Sequence, residues 1–262
     1  MKTTLWVTVI ALCVWHCKPK ESKQGFSKQD LLPYRITGIF PHDVTAFTQG
    51  LVIEKGRLFE STGQDSSWIA EVNLKTGKHQ KKTVLDTKYF GEGITVLNDK
   101  IYQLTWQNKI GFIYDFKTFQ RLDSFRYDHE GWGITHNGKQ LIVSDGTDRI
   151  YFKDTVDVKT VSTIQVTYKG QKVVGLNELE FIEGYIFANQ WQTNNIFKID
   201  PATGNIIGHI DFSKQANEVK ARFPQVDVLN GIAYEKKSKT MLVTGKLWPA
   251  LYAIRLSEPL NK

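Results

Sequence analysis

The chain has 262 residues, of which 41% are apolar and 12% aromatic, enough to bury one sizeable core, and all-β folds of this length form single domains. Its 34 Lys and Arg against 27 Asp and Glu leave a net charge of +7. The excess is Lys scattered over alternating segments, with no recognition helix and no RNA-binding aromatic motif, which speaks against nucleic acid as a partner.

The first residues read as a targeting segment. Met1-Lys2 is a short positive start, Thr3 to Val14 is mostly apolar and uncharged, and Lys18, Lys20, Glu21 and Lys23 follow. The apolar run is too short for a transmembrane helix and fits a signal peptide over residues 1–17. Both cysteines, Cys13 and Cys17, belong to that leader, so the body has no disulfide and no thiolate nucleophile or metal ligand. Cys17 stands where bacterial lipoproteins carry an acylated cysteine, although Val14-Trp15-His16 is a poor lipobox. Two outcomes stay open: release into the periplasm or the extracellular space, or a lipoprotein held on the membrane through Cys17. Residues 18–30 read as a polar tether and residues 31–262 as the folded, monomeric domain.

Tyr34 to Phe40 reads as a lone strand. After it, one unit recurs five times: Phe47-Thr-Gln-Gly-Leu51, Phe90-Gly-Glu-Gly-Ile94, Gly131-Trp-Gly-Ile134, Leu176-Asn-Glu-Leu179 and Leu229-Asn-Gly-Ile232. Gly50, Gly93, Gly133, Glu178 and Gly231 share one position, spaced by 43, 40, 45 and 53 residues, the period of propeller blades. Each unit reads as a strand, a tight turn such as Asn98-Asp99 or Asn137-Gly138, a second strand and a third; most add a fourth. The last unit stops after its third strand, so Tyr34 to Phe40 is free to complete it. The expected fold is an all-β five-bladed propeller closed by its N-terminal strand, which removes two exposed sheet edges. Residues 211–224 are the one helix-compatible insertion.

First strands line the channel of a propeller, so equivalent positions converge near its axis. The residue before the shared position is Gln49, Glu92, Trp132, Asn177 or Asn230. Thirteen residues after it come Gly63, Trp106, Gly146 and Trp191; in the fifth unit Lys246 comes fifteen after. Glu and Lys are almost never fully buried without a partner. A channel salt bridge between Glu92 and Lys246 is the plain structural alternative to a reactive site. A calcium-dependent propeller hydrolase and a non-catalytic binding platform are further alternatives, though calcium prefers six to eight oxygen ligands and this set carries one obvious carboxylate.

Pro41-His-Asp43, Ala46 to Leu51, Phe90 to Thr95, Leu104-Thr-Trp106, Gly131 to Thr135, Leu176 to Glu180, Val228 to Ala233 and Thr244 to Pro249 together resemble the plant and bacterial glutamine cyclotransferase family, in order over residues 34–256. The resemblance implies a five-bladed propeller that cyclises the N-terminal glutamine of peptides or proteins to pyroglutamate with loss of ammonia, using neither metal nor cofactor. It implies active-site positions at Phe47, Gln49, Phe90, Glu92, Trp106, Trp132, Asn177, Trp191 and Lys246. Glu92 is the candidate proton carrier, Lys246 and Asn177 the groups that polarise the carbonyl, and Gln49 with the five aromatic residues the substrate cradle.

Overall fold

A computed structural model describes residues 25–64 and 66–257; the signal peptide, Cys17 and the first part of the tether lie outside the described residues. Blade one is Thr48–Glu54, Arg57–Thr62, Trp68–Val72 and His79–Val84. Blade two is Gly91–Leu97, Lys100–Thr105, Ile110–Asp115 and Arg121–Arg126. Blade three is Ile134–His136, Leu141–Ser144, Arg149–Lys153 and Thr160–Gln165. Blade four is Leu176–Ile182, Tyr185–Gln190, Asn195–Ile199 and Ile206–Asp211. Blade five is Leu229–Glu235, Thr240–Gly245 and Ala250–Leu256, and Tyr34–Pro41 pairs antiparallel with the last of these as its fourth strand. The innermost strands touch in the cyclic order one, two, three, four, five, one, so the five sheets form a closed ring.

The hairpins form where the sequence tolerates positive φ. Lys55-Gly56, Asn98-Asp99 and Glu183-Gly184 all turn with both residues left-handed, the geometry that matches strand twist. Burial falls from the axis outward. Gly91–Leu97 is buried along its whole length, whereas His79–Val84 and Thr160–Gln165 are largely exposed and polar, which discourages edge pairing with other chains.

The apolar core is divided into seams between neighbouring blades. Phe59 and Ile69 meet Ile94 and Phe112 between blades one and two, and Leu51 and Leu58 meet Leu242 and Leu251 between one and five. The helix Ser213–Arg222, in the expected insertion, lays Ala216 and Val219 on the seam between blades four and five. At the axis the strands approach so closely that a Cβ on Gly133 would lie 2.1 Å from the Asn177 carbonyl oxygen, which is why the shared position carries glycine there.

Docking of the N-terminal segment begins inside the stretch read as tether. The Phe26 ring lies 4.8 Å from those of Tyr168 and Phe197, the Ser27 N–H donates to the Tyr168 hydroxyl, and the Leu32 N–H donates to the His209 carbonyl at 2.7 Å. Tyr168 sits on a small hairpin, Thr167–Tyr168 with Gln171–Lys172, that the repeat pattern did not signal.

Candidate active site

Local irregularity builds the site. In blades one, two, four and five the ladder between the first two strands shifts register around the shared position, so Gln49, Glu92, Asn177 and Asn230 fall within β-bulges. A bulge bends the strand and re-aims its side chains, and bulges recur beside active sites. The backbone groups that the bulges release find partners on neighbouring blades. The Ser61 hydroxyl donates to the Glu92 carbonyl, the Ser144 hydroxyl to the Asn177 carbonyl, and Asn189 Oδ1 accepts the Gly231 N–H. Asn230 Nδ2 donates to the Thr48 carbonyl and to Gln49 Oε1, fixing the Gln49 amide from behind.

Above the bulges the second strands return their ends to the first. The N–H groups of Gly63, Trp106, Trp191 and Lys246 donate to the carbonyls of Phe47, Phe90, Gly175 and Val228, each three residues before the shared position. Blade three departs from this pattern. Its first strand is only Ile134–His136, and Gly146 donates to Leu176 of blade four instead. Gly146 has no side chain because the Trp132 indole lies over it; a Cβ would sit 2.5 Å from that ring, and Gly63 is covered by Phe90 in the same way.

The result is one pocket of about 220 Å³ at the channel mouth, lined by Phe47, Gln49, Phe90, Glu92, Trp106, Trp132, Asn177, Trp191 and Lys246 together with Asp227. Every site residue expected within the fold is therefore brought to one place. A larger groove of about 650 Å³ lies between blades one and five, but its lining, including Lys75, Gln80 and Ser238, offers no comparable buried polar set.

The aromatic wall is built from two runs of touching rings. Phe47 and Phe90 meet edge to face at 6.3 Å, Phe90 and Trp106 at 5.7 Å, and Trp132 and Trp191 at 5.6 Å. Lys246 Nζ lies 4.6 Å from the Phe47 ring centre, a cation–π contact. Trp106 and Trp191 keep 37% and 43% of their surface exposed, so the wall opens to solvent at its rim.

Glu92 and Lys246 are 4% and 5% exposed, yet among the described residues no ion pair joins them and no group hydrogen-bonds the Glu92 carboxyl. Burial pushes the Glu92 carboxyl well above the usual range; Lys246 pulls it back and Glu130 pushes it further up. Burial likewise lowers the Lys246 ammonium, with Glu92 and Asp227 opposing. The salt-bridge alternative thus lacks its bond. An acid and a base with environments that draw their pKa values together suit proton transfer near neutral pH.

Three features of this end of the channel escaped the sequence reading. Asp227 sits at the rim, and its N–H donates to the Lys246 carbonyl. Glu130 accepts hydrogen bonds from the indole N–H groups of Trp106 and Trp132. Ser61, Ser144 and Asn189 support the bulges. The signal for Glu130 was present: it lies three residues before Gly133, in register with Phe47 and Phe90.

A family model described as glutamine cyclotransferase matches residues 7–256. The chain belongs to the glutamine cyclotransferase family. Within it, the chain is 41% identical over 223 residues to a glutaminyl-peptide cyclotransferase of Arabidopsis thaliana, covering 84% of this chain and 70% of the relative. The crystal structure of Myxococcus xanthus glutaminyl cyclase superposes with a TM-score of 0.81 at 37% identity, over 85% of this chain and 96% of that one. A Bacteroides caccae protein of unknown function shares the fold, with a TM-score of 0.51 at 15% identity over 71% of each chain. Membership of the glutamine cyclotransferase family decides among the three propeller functions that residue types had left open.

Proposed function

We propose that the Glu92–Lys246 pocket is where this glutaminyl-peptide cyclotransferase closes N-terminal glutamine to pyroglutamate, without a metal ion. The observation that carries the reading is the Glu92 carboxyl: buried, without a hydrogen bond among the described residues, and lining the pocket with Lys246.

The reaction is an intramolecular aminolysis. The neutral α-amine of the substrate attacks its own γ-carboxamide carbon, a C–N bond forms, the bond to the amide nitrogen breaks, and ammonia leaves. Free α-amines titrate near about pH 8, so mildly alkaline conditions supply the nucleophile. Glu92 in its carboxylate form takes the proton released by the attacking nitrogen and hands it to the departing one, so the carboxyl ends as it began. Its raised pKa makes the second transfer possible near neutral pH. Lys246 and Asn177 stabilise the oxyanion that develops on the carbonyl oxygen. Gln49 holds the substrate amide, and the aromatic wall packs on its methylenes and keeps the bent rotamer; such orientation contributes up to about 7–11 kcal/mol in favourable intramolecular cases.

A resident calcium ion would need many oxygen ligands, and the pocket sets an ammonium among its lining groups with the Glu92 carboxyl. The protein acts as a monomer outside the cytoplasm, reached through the leader, with Cys17 either acylated or removed. Membrane partitioning of Cys17→Ser against the parent chain separates those two routes. For the activity, ammonia release from a Gln-initiated peptide, with and without EDTA, is the direct test. Release that EDTA leaves intact is the expected result; activity lost to EDTA and restored by zinc or calcium overturns the metal-free mechanism.

A further inference from the structure

We infer that Glu130 is a positioning residue of this pocket: a single carboxylate oxygen bolts the Trp106 and Trp132 indoles into the wall. Oε2 accepts the Trp106 Nε1–H at 2.7 Å and the Trp132 Nε1–H at 3.0 Å. These indoles come from different blades, Trp106 from the end of the second strand of blade two and Trp132 from the segment leading into blade three. Without a shared acceptor nothing in the aromatic chain ties them together, because the ring contacts run Phe47–Phe90–Trp106 on one side and Trp132–Trp191 on the other. Glu130 bridges the gap between the two halves of the wall.

The fold prepares Glu130 for this task. Its register position holds Phe47 and Phe90 in blades one and two, where the backbone carbonyl is tied to the end of the second strand. In blade three that tie is missing, since Gly146 donates to Leu176, and the Glu130 carbonyl is met by its neighbour His129 through Nδ1 at 2.6 Å. The segment is thereby released toward blade two, where Gly131 donates to the Trp106 carbonyl.

The Glu130 carboxyl has a second consequence, which rests on the reading of Glu92 as proton carrier. The groups acting on Glu92 are Lys246 from blade five, which favours its carboxylate, and Glu130, which favours its protonated form. The Tyr127 hydroxyl, also near Glu92, is spent on Thr105 and Ile110. Around Glu130 itself, Gln107 Nε2 approaches Oε1 at 3.5 Å, and Lys109 is engaged by the Asp128 carbonyl. Among the described residues no cation lies within ion-pair distance of Glu130.

Two variants separate the roles. Glu130→Ala removes both acceptor and charge; KM for a Gln-initiated peptide is expected to rise about tenfold, equivalent to about 1.4 kcal/mol, as the two indoles loosen. Glu130→Gln keeps an acceptor oxygen and removes the charge. Its KM is expected to stay near the parent value while the acidic limb of the kcat profile moves to lower pH. A parent-like KM in Glu130→Ala, or a KM in Glu130→Gln raised as far as in Glu130→Ala, overturns the inference. Should Glu130→Ala fail to fold, Glu130→Met keeps the bulk without the acceptor and is expected to raise KM in the same way; a parent-like KM there overturns the inference. Failure of the Glu92 assignment is read separately, from the turnover of Glu92→Gln, and leaves the KM test of the indole clamp standing.

Discussion

Glu92 and Glu178 are two buried carboxyls on innermost strands, one register position apart, and the propeller uses them in opposite ways. Burial pushes both well above the usual carboxylate range. Glu178 spends its oxygens on backbone: Oε2 accepts the Ile232 N–H of blade five at 2.8 Å and Oε1 the Leu51 N–H of blade one at 3.3 Å. One side chain thus spans three blades, in the position where the other four blades carry glycine. The Glu92 carboxyl has no hydrogen bond among the described residues and lines the pocket instead. A buried carboxyl with its acceptors occupied is a strut; one with them free is held ready for a substrate. The contrast teaches that burial and a raised pKa alone do not mark a reactive group, whereas an unmet hydrogen-bonding capacity inside a pocket does.

The sharpest way to break the comparison is to remove each titrating group while keeping its shape. Glu92→Gln should lower turnover by about 10²–10⁴-fold with a melting temperature close to the parent's, because general acid–base catalysis contributes that range. The readout is ammonia release from a Gln-initiated peptide, and a folded variant with near-normal turnover would sink the mechanism. Lys246→Met comes next. It removes the charge facing the developing oxyanion and should cost about 10²–10³ in kcat, the usual loss for one such donor. A KM defect with kcat intact would instead make Lys246 a binding residue.

Glu178→Gln should show the reverse profile. Its amide nitrogen cannot accept an N–H, so one buried backbone donor is left unmet at a cost of about 1–3 kcal/mol. At about 2–4 °C per kcal/mol for a domain of this size, the melting temperature should fall by several degrees. Among folded molecules kcat should stay near the parent value; a loss of turnover without a loss of stability would erase the distinction between strut and reagent.

The smallest effect is a pH dependence carried by Glu180, a second strut, which accepts the Tyr234 N–H at 3.0 Å and the Thr135 hydroxyl at 3.3 Å. Burial raises its carboxyl from 4.5 to about 8. A carboxyl raised in the folded state holds its proton there after the unfolded chain has lost it. Its contribution to stability is therefore complete below about pH 4.5 and is lost as the pH rises toward 8. Melting curves of Glu180→Gln and the parent should converge in their pH dependence outside that window and differ within it, with the parent losing more stability on the alkaline side. Parallel curves throughout would show that Glu180 does not titrate in the folded chain.

Much of this molecule was legible in residue order. A period near that of a propeller blade, a last unit one strand short and a spare strand ahead of the first unit were enough for five blades and their closure, because each blade repeats one local pattern of turns and apolar residues. The register of the shared position also located Gln49, Glu92, Trp132, Asn177, Trp106, Trp191 and Lys246, since equivalent positions in a closed ring must converge. Phe47 and Phe90 came from the family resemblance, although the same register held them. What only the tertiary structure decided is how those convergent groups divide their hydrogen bonds. Glu178 fills a position of glycine, which marks it as unusual but says nothing of the two blades that it reaches. Glu130 shares a position with phenylalanines, and its role depends on blade three opening at the one place where Gly146 bonds to the next blade. Hydrogen bonds between blades join residues far apart in the chain, and their partners are set by the bulges and by which strand end closes on which blade, which no period in the sequence encodes.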